Sequence, residues 1–158
     1  MHKFPDSTGD EWSLALTLGA AMRIADVCKV DLLAPEQGDP PTMTRLASDQ
    51  ALLGTVIAEL LSAQFETRGI KAEDMYARMD GAVILAANEA FWAELTDFTR
   101  CRGLTHAAKA LAKQNDLMQA AIEAAGRRID SIDVSEVVRE AMSGDLPASP
   151  ESTPAPSP

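Results

Sequence analysis

The sequence predicts a mainly α-helical protein in which a short N-terminal β-hairpin packs on a bundle of about five to six helices. Three observations indicate this fold class. Side chains alternate in polarity only near the N-terminus, apolar residues recur at helical spacing over most of the remaining chain, and the last stretch is rich in proline and serine. We therefore expect a hairpin over residues 1–17, a helical bundle over 18–142 and a disordered tail over 143–158.

The segment EWSLALT carries the strand pattern, because apolar Trp12, Leu14 and Leu16 alternate with more polar residues. The preceding DSTGD contains Gly9, which suits the positive φ of a tight hairpin loop, and HKF before Pro5 supplies the partner strand. An isolated hairpin is marginal in water, so the three apolar side chains should cap one end of the bundle. The outer edge of HKFP is then free to accept a strand from a partner.

The first helix is expected within LGAAMRIADVCKVDLL, with Ala21, Ile24, Val27 and Cys28 at helical spacing. APEQGDPP then breaks the helical pattern through its prolines and glycine. A long helix follows, with Ser48 as its N-cap and Gly69 at its end. Its apolar stripe is broad enough for the centre of the bundle and consists of Leu52, Leu53, Val56, Ile57, Leu60, Leu61 and Phe65.

Four further helices complete the predicted bundle, and one of them carries a heptad-like seam. KAEDMYARMDG indicates a short helix ending at Gly81, and the long helix after it closes at Gly103. One face of that long helix carries Ile84, Phe91, Leu95 and Phe98. Thr105 caps the next helix, and Asp133 starts the last one. The seam of the helix after Thr105 has near-heptad spacing and consists of Leu111, Met118, Ile122, Ala125, Ile129 and Ile132.

The charge of the chain is strongly acidic and unevenly distributed. Acidic residues outnumber basic ones by 24 to 14, a net charge of −10, which argues against nucleic acid and anionic membranes as partners. Residues 59–97 carry eight acids and three bases, whereas residues 104–128 carry four bases and two acids. The cationic segment, with Lys109 and Lys113, either pairs with neighbouring helices or docks an acidic or helical partner, including a second copy of the chain.

No residue pattern indicates catalysis, a metal or a cofactor. The chain has no glycine-rich phosphate loop, and its cysteines and histidines are not spaced as metal ligands. Glu94 and Asp97 share a helix face, as catalytic carboxylates sometimes do, but a solvated acidic face has the same pattern. Phe91 and Trp92 point about 100° apart on a helix. One of them is therefore expected at the edge of the core or on the surface, as an anchor for a partner.

These considerations select a set of residues for partner binding and none for chemistry. The hairpin contributes its aromatic and leucine side chains, the long helix contributes the tryptophan, and the cationic segment contributes two lysines. The candidate partner-binding residues are Phe4, Trp12, Leu14, Trp92, Lys109 and Lys113.

The opening segment, residues 4–33, resembles the start of small proteins encoded in the tail gene clusters of long-tailed bacteriophages and phage-like elements. The shared pattern is a D-x-x-G turn, a strand with tryptophan, L-T, an Arg-Ile pair and D-L-L. In this chain it comprises Asp6, Gly9, Trp12, Leu16, Thr17, Arg23, Ile24, Asp31, Leu32 and Leu33. The later SAQFETRGIKAEDMYARMDGAVILAANEAFWAELTDF resembles their middle region, so that the likeness reaches from residue 2 to roughly residue 100.

The resemblance implies a tail assembly chaperone, which binds the long tape-measure protein, keeps it soluble, recruits tail-tube subunits and is absent from the finished particle. It brings no catalytic or binding motif. Two alternatives stay open: a structural tail or connector component retained in the virion, and a small regulatory protein-binding module. MHKFPDSTGD lacks the features of a signal peptide and acids interrupt the apolar stretches, so we expect the cytoplasm of the bacterial host as the location.

Overall fold

The computed structural model of the chain describes residues 1–130. This part is mainly α-helical with an N-terminal antiparallel hairpin, which confirms the predicted fold class. The elements are β1 (His2–Pro5), β2 (Glu11–Leu14), α1 (Leu18–Cys28), α2 (Thr42–Ser48), α3 (Gln50–Arg68), α4 (Ala72–Ala77), α5 (Gly81–Cys101) and α6 (Thr105–Asp130). Residues Met1–Leu117 form one compact unit, and a second begins at Met118.

Three predictions concern parts of the chain beyond this description. The structure does not describe the side chains of the predicted seam residues Met118, Ile122, Ala125 and Ile129. Ile132, the helix predicted after Asp133 and the tail over 143–158 lie outside the described residues.

The hairpin has the predicted position but a shorter second strand. His2 pairs with Leu14 and Phe4 with Trp12 across β1 and β2. The strand ends at Leu14 because the chain turns into α1, where the side chain of Thr17 accepts a hydrogen bond from the amide of Ala20 at 3.2 Å.

The hairpin lies on the helices through its apolar face. β1 lies against α5 and β2 against α3. Trp12 packs edge-on against Phe65 of α3, with 5.6 Å between the ring centroids. Trp12, Leu14 and Leu16 are buried, which confirms that these three side chains cover the bundle.

α1 is shorter than predicted. It ends at Cys28, and Lys29 adopts a left-handed conformation with φ of 55°. Ala21 and Ile24 are buried as predicted, but the prediction for Val27 is wrong, since this residue is 63% exposed. The chain leaves the helix at this point and buries Val30 and Leu32 from the following loop instead.

The region between α1 and α3 contains a helix that the sequence pattern did not reveal. APEQGDPP is a loop, as predicted, but α2 follows it and buries Thr42 and Leu46. Ser48 ends α2 and is not the N-cap of α3. Asp49 has that role, because its carboxylate accepts a hydrogen bond from the amide of Leu52 at 2.9 Å.

α3 is the central helix of the unit, as its broad apolar stripe predicts. It contacts α1, α2, α4, α5 and β2. The stripe is buried from Leu53 to Phe65, and Leu52 is half-buried. Gly69 ends the helix with φ of 65°, a conformation that favours glycine.

α5 begins one residue earlier than the sequence pattern suggests and buries a broader face. α4 ends at Ala77, and Asp80 caps α5 by accepting hydrogen bonds from the amides of Ala82 and Val83. Phe91 and Leu95 are buried as predicted, but Ile84 is 38% exposed and Phe98 is half-buried. The buried face is broad because both strands and α3 cover this helix.

α6 starts after Gly103, whose φ of 82° closes α5 as predicted. Thr105 is the first residue of α6 and not its cap, since the amide of Ala108 donates to the carbonyl of Leu104. Within residues 1–130, no single helix is long and apolar enough to cross a bilayer; α2 and α3 together reach that length and composition but are bent by 107°.

Candidate functional site

Four of the six predicted partner-binding residues belong to the core. Phe4, Trp12, Leu14 and Trp92 are each at most 5% exposed, so the prediction that they contact a partner is wrong for the folded chain. The first three cover α3 and α5 from the hairpin. Trp92 is buried together with Phe91, and the two rings meet edge-on at 5.4 Å.

The two predicted lysines have the exposure that a docking surface requires. Lys109 and Lys113 lie on the exposed side of α6. Neither forms an ion pair with a residue in the described part of the chain. Their role as a docking face stays a prediction.

The hairpin loop is organised around the buried carboxylate of Asp6. Its Oδ1 accepts hydrogen bonds from the amide and hydroxyl of Thr8, at 2.9 and 2.7 Å, and from the amide of Asp10 at 2.9 Å. Its Oδ2 accepts from Trp12 Nε1 at 3.1 Å and lies 3.4 Å from a guanidinium nitrogen of Arg78. Arg78 also pairs with Asp10, so the loop is attached to the segment between α4 and α5.

This environment holds Asp6 in its charged form. Burial by itself would raise the pKa of the carboxyl group, but the hydrogen bonds from Thr8, Trp12 and the amide of Asp10 outweigh it and hold the pKa well below its ordinary value. The group is therefore a structural anion, because its hydrogen bonds from Thr8, Asp10 and Trp12 stabilise the loop.

Side chains from the helices close the outer edge of β2. The amide of Gln64 pairs with both backbone groups of Ser13, accepting from its N–H at 3.3 Å and donating to its carbonyl at 2.7 Å. Arg68 donates to the carbonyl of Glu11, and its guanidinium lies 4.0 Å from the centroid of the Trp12 ring. This edge is thus unavailable to a partner strand.

Glu94 and Asp97 attach the beginning of the chain to α5. Glu94 is buried and accepts hydrogen bonds from the amides of Leu16 and His2, at 2.9 and 3.1 Å. Asp97 lies 2.8 Å from Nε2 of His2, and this hydrogen bond lowers the pKa of Asp97. These contacts give the two carboxylates a structural role.

An open apolar groove lies between α3, α4 and the first half of α5. Its volume is about 420 Å³. We call it the α3–α5 groove, and its apolar lining consists of Ala51, Gly54, Ile57, Tyr76, Met79 and Ile84. Thr55, Gln50 and Asn88 complete it, and the amide of Asn88 donates to that of Gln50 at 2.9 Å, which ties α5 to α3.

The floor of the groove is low because α3 presents small residues there. A Cβ atom built on Gly54 would meet nothing within 4 Å. Glycine inside a helix costs about 1 kcal/mol relative to alanine. No neighbouring atom in the described structure requires a glycine at this position, and the space over Gly54 is open to the groove.

Acidic residues adjoin the lining of the groove along the chain. Asp49 precedes Gln50, Asp80 follows Met79, Glu89 follows Asn88, and Glu73 lies one helical turn before Tyr76. We call these four residues the acidic rim. All four are exposed, and none forms an ion pair within residues 1–130.

Among the described residues, no group of three or more His, Cys, Asp or Glu side chains is placed to hold a metal ion. Cys28 is half-buried, Cys101 is exposed, and the two are not bonded to each other.

The groove was not predicted from the sequence. Ile84 was expected in the core, since it has the spacing of Phe91 and Leu95, and Tyr76 had no assigned role. The available signal was the run of small residues Ala51, Gly54 and Thr55 inside an otherwise bulky helix. That run alone does not tell an open groove from a close helix contact.

No protein family, characterised protein or solved structure matches the chain.

Proposed function

We propose that this chain is a non-enzymatic tail assembly chaperone of a long-tailed bacteriophage or phage-like element, acting in the host cytoplasm. It binds apolar helical segments of the tape-measure protein, keeps that protein soluble and helps to recruit tail-tube subunits. The observation that carries the proposal is the α3–α5 groove, an open apolar surface of about 420 Å³ on a chain of net charge −10.

The groove has the chemistry that such a client requires. A tape-measure protein is long and helical, and its apolar stripes remain uncovered until the tail tube encloses them. A groove between helices accepts the apolar face of another helix, as in known helix-in-groove complexes. The acidic surface around it keeps the complex in solution, and several copies along one client bind through avidity without a single tight site.

The resemblance to tail-cluster proteins gives separate support. The residues that carry it have structural roles in this chain: Asp6 and Trp12 hydrogen-bond to each other, Thr17 caps α1, and Arg23 pairs with Glu59 at 3.3 Å. The shared pattern is therefore one of architecture. It supports a common scaffold for a binding role, with no reacting group among its members.

Co-expression with the tape-measure protein tests the proposal. The client is the long helical protein that we expect the next downstream gene to encode. Gly54→Leu fills the groove with a side chain that has room to enter it, and Gly19→Leu is the matched control, because a Cβ at that exposed helical glycine also meets nothing within 4 Å. The soluble fraction of the tape-measure protein is measured by centrifugation and quantitative blotting.

The proposal predicts that the wild-type chain and Gly19→Leu keep the tape-measure protein in the supernatant, whereas Gly54→Leu does so at least several-fold less well. Equal solubility with both variants would contradict a role for the groove. Retention of the chain in purified particles at the copy number of a structural component would favour the connector alternative and count against a chaperone.

A further inference from the structure

We propose that the α3–α5 groove selects helices whose apolar stripe is flanked by lysine and arginine. This inference rests on the proposed function and adds the chemical class of the client segment. Its basis is the juxtaposition of an uncharged apolar lining with the acidic rim of Asp49, Glu73, Asp80 and Glu89.

The lining favours a helix as the occupant. Gly54 and Ala51 lower the floor on α3, and a floor of small side chains lets the backbone of a partner approach closely. Tyr76 and Ile84 form the opposite walls and are 43% and 38% exposed, so they have apolar surface left to bury. Leu85, next to Ile84 along α5, is 47% exposed.

The rim sets the preferred charge of that helix. Glu73 and Glu89 form no ion pair with any residue in the described range, and Asp49 and Asp80 use their carboxylates to cap α3 and α5. Two cations lie close to the rim along the chain: Arg78 is paired with Asp6 and Asp10 of the hairpin loop, and Lys71 stands two residues before Glu73. The four acids of the rim outnumber the one of these cations that has no ion pair among the described residues, so a helix with acidic flanks is disfavoured there.

Two synthetic peptides of about 20 residues, roughly 30 Å long as helices, provide the test. They share one apolar stripe of leucine, isoleucine and alanine, and their flanking positions are lysine in one peptide and glutamate in the other. Binding to the full chain is measured by fluorescence anisotropy at low salt and again at high salt. The protein variants are Gly54→Leu, Gly19→Leu, the double variant Glu73→Gln with Glu89→Gln, and the control double variant Asp26→Asn with Glu36→Gln.

We expect the lysine-flanked peptide to bind about tenfold more tightly than the glutamate-flanked one at low salt, with a smaller ratio at high salt because salt screens exposed charges. Gly54→Leu should weaken binding about tenfold or more, and Gly19→Leu should leave it unchanged. The rim double variant should reduce the preference for lysine severalfold, and the control double variant should not.

Four results would overturn the inference, and they differ in what they mean for the proposed function. If both peptides bind equally and Gly54→Leu weakens the binding of both, the charge preference is refuted and the groove remains a client site. If Gly54→Leu leaves the preference for the lysine-flanked peptide unchanged, that peptide binds elsewhere on the surface. If neither peptide binds, the groove serves another kind of segment. If the chain self-associates and only Gly54→Leu abolishes this, the groove holds a second copy of the chain. Both outcomes count against the proposed function as well.

Discussion

Asp6 is the residue on which the conformation of the hairpin loop depends most. It is buried, and its carboxylate accepts five hydrogen bonds, one of them from the indole of Trp12 and one from Arg78. A charged acceptor strengthens such bonds, and burial makes their loss expensive. The loop therefore depends on a single carboxylate that the sequence presents as one acid among twenty-four.

Replacing Asp6 by Asn should lower the free energy of unfolding by about 2 kcal/mol, because the amide cannot accept from Trp12 and the other donors at the same time. Denaturant unfolding followed by tryptophan fluorescence measures the change. The matched control is Asp10→Asn, since the Asp10 side chain is 58% exposed and pairs only with Arg78. The free energy of unfolding of that variant should fall by less than about 1 kcal/mol. Similar losses in both variants would contradict the role given to Asp6.

The pKa of Asp6 predicts how stability depends on acidity. The group has a pKa well below its ordinary value of 3.8, so below that pH the unfolded chain binds a proton more readily than the folded one. The stabilisation by the charged carboxylate is complete well above pH 3.8 and is lost progressively as the pH falls from about 5 through 3.8 and below. Asp97, whose pKa is also lowered, acts in the same direction.

The stability difference between the wild-type chain and Asp6→Asn should therefore narrow between about pH 5 and about pH 3. Urea unfolding at a series of pH values measures it. A difference that stays constant or widens as the solution becomes more acidic would show that Asp6 is not held in its charged form.

The hairpin, taken as an element, belongs to the core, although the sequence interpretation also gave it a partner-binding role. Its apolar face is buried, Gln64 and Arg68 close the edge of β2, and Glu94 accepts from the amides of His2 and Leu16. A two-stranded sheet is marginal alone, and these side chains supply the hydrogen bonds that a third strand would otherwise make.

Removal of the Glu94 carboxylate tests this attachment. In Glu94→Ala the amides of His2 and Leu16 lose their acceptor, and we expect a loss of about 2–4 kcal/mol in the free energy of unfolding. Hydrogen exchange at the Leu16 amide should accelerate more than exchange in the centre of α3. Asp97→Ala is the control, since Asp97 is 40% exposed and should matter less. Unchanged exchange at Leu16 would contradict the attachment.

The elements were predictable where local chemistry decides them. Gly69 and Gly103 adopt positive φ at the ends of α3 and α5, and the alternation around Trp12 specifies a strand. α2 escaped prediction because seven residues after a proline-rich loop carry too few apolar positions for a helical period.

The exposure of Ile84 and Trp92 depends on which elements cover α5, and this is a tertiary property. Trp92 was expected near the surface and is only 5% exposed, whereas Ile84 was expected in the core and lines the α3–α5 groove. Periodicity assigns a face to a helix but does not say how wide a face its neighbours cover.

In the described unit as a whole, the α3–α5 groove is the apolar surface that the acidic rim adjoins along the chain. α3 is covered by five elements along most of its length but leaves Ala51, Gly54 and Thr55 at an open groove. The acidic rim adjoins the apolar lining of this groove along the chain, while the exposed lysines of α6 lie on a different helix. This separation is the reason we propose the groove as the place for a helical client.

Hydrogen–deuterium exchange of the full chain, alone and in complex with the co-expressed tape-measure protein, tests this central claim most directly. We predict that slower exchange on binding is concentrated in the first half of α3, in α4 and in the first half of α5, and that Gly54→Leu abolishes it. Protection confined to α1 or to the lysine-bearing turns of α6, or no protection in any peptide, would contradict the assignment of the groove as the client site.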